Sequence, residues 1–323
     1  GFPDEGNSPA GSTTREAYEL VTRGFGAGAN GPLVVAAELP NSGLDELTRR
    51  FEATPGVAFT TPPRVSRDGE LAIVTVIPET APQSSATSDL VRSLREAAPE
   101  NVHVGGLTAT VIDQSDYLAR RIPVFIGGVI ALSFLILLLA FRAPLIALKA
   151  GVMNLLSVVA AYGVVAYAAE GGWFGSLLGI DADTPIPPFV PVMMFAVLFG
   201  LSMDYEVFLL SRVREEYLRT GQTSDAVADG LAKTARVITA AAAIMVVVFL
   251  AFVFSTEVFL KLMGVGMATA ILVDATIVRM VLVPAVMQLM GRANWWIPGW
   301  LDRLLPRLDG EPTRVPAAAG ERG

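Results

Sequence analysis

Gly200-Leu201-Ser202-Met203-Asp204-Tyr205-Glu206-Val207-Phe208 lies inside a stretch, from about Phe189 to Ser211, that otherwise has the composition of a membrane-spanning helix. An ionised carboxylate near the bilayer centre costs about 2.5–3.5 kcal/mol or more. Such side chains therefore face bundle interiors and mark ion or proton pathways. Asp204 is the residue to account for, and a proton-coupled transporter is the reading it prompts.

The whole chain supports a membrane setting. Of its 323 residues, 52% are hydrophobic, too many for an ordinary soluble protein of this length. The net charge of -7 is uneven: residues 1–115 hold 15 Asp and Glu against 8 Lys and Arg, and residues 116–323 hold 16 of each. The acidic part reads as a separate, soluble-looking domain with no basic face for nucleic acid. With no cysteine, disulfides, thiolate metal sites and cysteine nucleophiles are excluded. The one histidine, His103, builds neither a multi-histidine metal site nor a relay. No metal or cofactor is expected. Arginine outnumbers lysine 21 to 3, a bias that fits a high-GC bacterial genome.

Residues 33–109 read as short alternating elements. Strands are expected at Leu33–Leu39, Val57–Thr61, Leu71–Ile77 and Val102–Leu107, with helices at Ser42–Ala53 and Ser85–Ala98. That order is β-α-β-β-α-β, the ferredoxin-like arrangement of an α+β domain. Five apolar segments follow: Ile122–Phe141, Leu145–Ala168, Phe189–Leu210, Val237–Phe254 and Leu260–Leu289. Each is about long enough to cross a ~30 Å hydrocarbon core.

Arg142 and Lys149 flank the first connection between spans. Arg212, Arg214, Arg219, Lys233 and Arg236 fill the third. The Glu170–Pro188 connection has acids and no Lys or Arg, and the fourth has only Lys261. The positive-inside rule then puts the first, third and C-terminal flanks in the cytoplasm and the acidic domain outside, with Arg120 and Arg121 as hinge charges. A domain outside that enters the membrane at Ile122 implies at least one preceding helix. The expected division is 1–119 extracytoplasmic, 120–291 helix bundle, and 292–323 an interfacial aromatic segment at Asn294–Leu301 with a disordered end from 309.

Gly26-Ala27-Gly28-Ala29-Asn30-Gly31 matches G-x-G-x-x-G literally, but it precedes a strand instead of following one, so it reads as a turn. Asp204 lies 8 residues before Arg212, ~12 Å in from the cytoplasmic side. Arg279, 13 residues before Arg292, lies up to ~20 Å deep, with Asp274 deeper still. Five residues of α-helix turn through about 500°, so Asp274 and Arg279 are not expected to pair on one face. Glu206, nearer the cytoplasmic end, reads as an interfacial charge. Tyr205 offers a hydroxyl to a proton path or to packing. Ser202, Asn154 and Ser157 are candidate interhelical hydrogen-bonding groups. Small residues at Ala240–Ala243, Gly264, Gly266, Ala268 and Ala270 suit close helix packing.

These residues resemble the C-terminal half of an MMPL-family transporter of the resistance-nodulation-division superfamily. Four stretches carry the likeness: Gly24 to Leu33, Val104-Gly105-Gly106-Leu107-Thr108-Ala109 leading to Asp113, Gly200 to Arg212, and Asp274-Ala275-Thr276-Ile277-Val278-Arg279 through Trp296. The resemblance implies a bacterial inner-membrane exporter, driven by the proton-motive force, of lipids or other hydrophobic compounds. It assigns proton-relay roles to Asp204, Tyr205, Asp274 and Arg279, makes the acidic unit a porter domain, and names the N-terminal half of the same protein as partner. Two alternatives stand beside it. One is a non-transporting sensor or protein-translocation accessory of the same architecture. The other is an intramembrane protease using Asp204 and Asp274, though no enzyme motif (Walker A, H-E-x-x-H or G-x-S-x-G) occurs in the chain.

Overall fold

A computed structural model describes residues 3–39, 44–180 and 184–306. The expected helix start at Ser42 and the expected disordered end from 309 lie outside these residues.

The chain opens with a helix the sequence reading did not anticipate, α1 (Thr13–Phe25), started by the Ser12 hydroxyl accepting from the Arg15 N–H at 3.3 Å. Strand β1 (Leu33–Glu38), helix α2 (Leu44–Glu52), strands β2 (Val57–Thr60), β3 (Arg64–Val65) and β4 (Leu71–Pro78), helix α3 (Ser85–Ala97) and strand β5 (Val102–Gly105) follow. Strand β1 is central. It pairs antiparallel with β4, Leu33 opposite Val76, and with β5, Val34 opposite Gly105, giving the order β2-β4-β1-β5. The two-residue β3 also pairs with β4. Alternation decides the core: Leu33, Val35 and Ala37 of β1 and Ala72, Val74 and Val76 of β4 are buried. Leu47 and Phe51 of α2 and Leu90, Val91 and Leu94 of α3 complete the packed layer.

The Gly26–Gly31 loop forms a 3-10 turn, Ala27–Asn30, that leads into β1. Its glycine requirement is steric. A Cβ on Gly28 would sit 1.8 Å from the Pro78 carbonyl oxygen.

From α1, the Tyr18 hydroxyl donates to Oδ2 of the preceding Asp4 at 3.0 Å, while the Gly6 N–H donates to Oδ1 at 2.9 Å. Burial, with the Asp4 charge second, pushes the Tyr18 phenol up to about 12, and burial raises the Asp4 carboxyl above its ordinary value. Folding thus favours the protonated forms. The Tyr18 contribution is complete below about pH 10 and lost as pH rises through the folded value near 12. Spectroscopic titration of the phenolate is expected to lose one late-ionising tyrosine in Tyr18→Phe. An unchanged late fraction would show that this clasp does not form.

Among the described residues, five helices or helix runs are long and apolar enough to cross a membrane. They are α4 (Leu107–Phe141), α5 (Pro144–Ala169), α7 (Phe189–Thr220), α8 (Thr223–Leu250, extended by a 3-10 turn to Phe254), and α9 (Val258–Val273) continuing to Trp295. A short helix, α6 (Gly172–Leu177), lies between α5 and α7. They are longer than the apolar runs that mark them because helical hydrogen bonding continues past the hydrocarbon. At 1.5 Å per residue, 35-residue α4 is about 52 Å long, against a ~30 Å core. Leu132, Val159, Val247 and Phe254 are exposed on the outside of the bundle, where hydrocarbon solvates them. Phe195, Leu198, Met194, Leu262 and Met267 fill one end of the interior, and Leu137, Ile146, Leu210, Val213 and Met287 fill the other. Gly264 lets α9 rest on α8: a Cβ there would lie 2.6 Å from the Phe249 carbonyl oxygen.

The last span changes pitch partway. Asp274–Leu282 is π-helical, and α-helix resumes as α10 (Val283–Met290). Pro284 has no N–H to give the carbonyl four residues back, so regular α geometry loses a bond just where the wider turns end. Beyond α10, Asn294 is fully buried, donating to the Met287 and Gly291 carbonyls, and Trp295 stacks on Tyr217 at 5.0 Å. The expected interfacial segment is therefore divided: Asn294 packs inward, whereas Trp296 and Trp300 are exposed. Arg142 ties α11 (Gly299–Leu304) to the bundle through Asp302 at 2.7 Å.

Candidate functional site

Helix α7 buries a stripe at Ser202, Glu206, Leu209, Leu210 and Val213, the i, i+4, i+7 spacing of one helical face. Tyr205 flanks the stripe and is half-buried. Asp204 lies 200° from Glu206 round an ideal helix and is exposed. It makes no hydrogen bond or ion pair among the described residues.

The polar centre lies where α7, α5 and the π segment meet. Arg279 Nη2 donates to Asp274 Oδ2 at 2.6 Å and to the Ser202 carbonyl oxygen at 3.1 Å. The Ser157 hydroxyl of α5 donates to Asp274 Oδ1 at 3.2 Å. The guanidinium carbon stands 5.4 Å from the centroid of the Tyr205 ring, a cation–π contact in a desolvated setting. Side-chain exposure is only 4% for Arg279 and 9% for Asp274, so this ion pair is sealed from solvent.

The geometry corrects the expectation that Asp274 and Arg279 do not face each other. In a helix with i→i+5 hydrogen bonds, residues five apart come to the same side, and the two groups bond directly. A second correction concerns Glu206, read as an interfacial charge. It is 3% exposed, because Ser202, Leu209 and Leu210 turn its face of α7 inward. Lys149, read as a flanking cytoplasmic charge, is 6% exposed. The structure thus brings Tyr205, Asp274 and Arg279 together and leaves Asp204 outside the group.

Two water-sized cavities, each of about 10 Å3, adjoin the ion pair. One is lined by Tyr205 and Ser202 together with Asp274 and Arg279; the other by Asn154 and Glu206 with the same pair. Among the described residues, no group of three or more His, Cys, Asp or Glu side chains is placed to hold a metal ion. What the site presents chemically is a carboxylate, a guanidinium, a phenol and a serine hydroxyl inside an apolar wall.

A bundle of five apolar helices enclosing a sealed acid–arginine pair, with an antiparallel sheet domain joined to it, defines a multi-pass membrane protein. Residues 29–314 match the model of the MMPL family, and the chain belongs to that family. It is 38% identical over 318 residues to the membrane protein YdfJ of Bacillus subtilis, a match covering 96% of this chain and 44% of that protein. It is 39% identical over 309 residues to the heme uptake protein MmpL11 of Mycobacterium tuberculosis, covering 91% of this chain and 32% of that protein. It is 38% identical over 237 residues to the trehalose monomycolate exporter MmpL3 of the same species, covering 68% and 25%. The chain spans less than half the length of these curated relatives.

Proposed function

We propose that this chain is the C-terminal half of an exporter driven by the proton-motive force, moving lipids or other hydrophobic compounds across a bacterial inner membrane. The observation that carries this reading is the sealed Asp274–Arg279 pair under the Tyr205 ring, a costly arrangement inside a bundle unless the charge is used. The names of MmpL3 and MmpL11, a lipid exporter and a heme uptake protein, favour a hydrophobic cargo. The strand order β2-β4-β1-β5 supports a ferredoxin-like porter domain for residues 1–119, placed outside by the charge asymmetry of the loops.

Asp204, Tyr205, Asp274 and Arg279 form the relay in this proposal. Asp204 projects from the exposed side of α7, where the N-terminal half of the same protein would meet it. Tyr205 bridges from that interface to Arg279. Proton binding at Asp274 weakens its hold on Arg279, the group that ties the π segment to α7 through the Ser202 carbonyl and the Tyr205 ring, and so lets α7 shift against that segment.

The test is gradient-dependent export by the intact transporter containing this chain, with Asp204→Asn compared at equal membrane abundance. Export is expected to fall roughly a hundredfold, the scale of a lost positioned proton carrier. Collapsing the gradient with an ionophore should bring wild type to the same level. Export retained in Asp204→Asn would overturn the assignment of Asp204.

A further inference from the structure

We propose that Glu206 is an additional proton-holding side chain, loaded through the cavity it shares with Asp274 and Arg279, with Lys149 as its fixed counter-charge. The inference rests on the proton-driven reading above.

Four observations converge on Glu206. It is 3% exposed within an apolar span, yet no salt bridge forms on it, and Oε1 has no hydrogen-bond partner among the described residues. Two other buried polar atoms around it are also unpartnered, Lys149 Nζ and Arg279 Nη1, and the Asn154 side chain faces its carboxyl group. Glu206, Asn154, Asp274 and Arg279 line one cavity of about 10 Å3, room for a single water. Finally, the charged groups acting on Glu206 are Lys149 from α5 and Arg279 and Asp274 from the π segment, so it lies in the field of the relay.

A static structural pair would close Lys149 onto Glu206 and satisfy both, because an unpaired buried charge is the costly outcome. Here the two stand apart with polar atoms to spare. The step is a proton transfer without redox change: the O–H bond of protonated Asp274 breaks, a water in the cavity passes the proton on, and an O–H bond forms on a Glu206 oxygen. Glu206 lies 6 residues before Arg212, about 9 Å from the positive flank of α7, which places it between the ion pair and that end of the bundle.

Infrared difference spectroscopy of the intact transporter in lipid, stepped in pH, reads the carboxyl directly. A protonated-carboxyl band is expected that disappears in Glu206→Gln and persists in Asp204→Asn. No such band in wild type, or a band unchanged in Glu206→Gln, would overturn the proposal. Glu206→Gln/Lys149→Met separates proton holding from mere charge balance. This double variant is expected to reach normal abundance and still lose export roughly a hundredfold; restored export would reveal a static pair. If instead wild-type export proves independent of the gradient while the Glu206 band is present, the proton-driven reading falls and the proton-holding side chain stands.

Discussion

Arg279→Met is expected to destabilise the bundle by about 3–5 kcal/mol, the cost of leaving a buried carboxylate without its partner. Asp274 would retain only the Ser157 hydroxyl, and the Ser202 carbonyl would lose the guanidinium donor it accepts from across the helix interface. Unfolding of the detergent-solubilised protein measures the loss. Asp274→Asn/Arg279→Met should recover most of the stability but none of the gradient-driven export, because it removes the charge problem together with the titratable group. Arg279→Lys should not rescue export. A lysine carries no planar fork to serve Asp274 and the Ser202 carbonyl together while lying on the Tyr205 ring. Full stability in Arg279→Met would mean that Asp274 is not charged in the resting bundle.

Gly28→Ala is expected to cost the sheet domain about 1–3 kcal/mol or more. The added methyl would meet the Pro78 carbonyl oxygen at 1.8 Å and its carbon at 2.5 Å, both backbone atoms of β4 that have no rotamer to escape into. Gly24→Ala is the matched control, because a Cβ there meets nothing within 4 Å and lies in α1, where alanine is the better helix former. Limited proteolysis should report opening of the sheet domain in Gly28→Ala while α4 to α10 remain protected. Equal protease resistance in both variants would show that the loop is not seated on β4.

The five spans were legible because apolar runs of that length have few other uses. The α2 and α3 faces were legible because their acids and arginines alternate with Leu47, Phe51, Leu90 and Leu94 at helical spacing. Helix α7 was harder to read. Apolar residues flank this stretch on every side of the helix, so no contrast between faces reveals that Glu206, and not Asp204, points inward. The Asp274–Arg279 contact was hidden for a different reason. A spacing of five suits neither the 3.6-residue period nor its multiples, and only the wider π turns, bounded by Pro284, make it a pair. Lys149 misled because loop-charge rules count lysines near a span end without seeing that this one is folded in. Strand β3 has two residues, too few to produce any alternation.

One consequence of the unbroken α4 is mechanical. The helix begins under β5, at the sheet, and ends at Phe141 beside α5, so no flexible joint separates the two parts of the chain. Over its length of about 52 Å, a tilt of only about 5° sweeps one end by some 4–5 Å relative to the other. Pro123, with no N–H for the carbonyl of Ala119, puts the softest turn of that rod partway along, between Arg121 and the apolar run. Pivoting at Pro123, 16 residues or about 24 Å from Leu107, the same tilt would move the sheet end by about 2 Å and the far end by a similar amount, so a displacement of the bundle would reach the sheet undiminished.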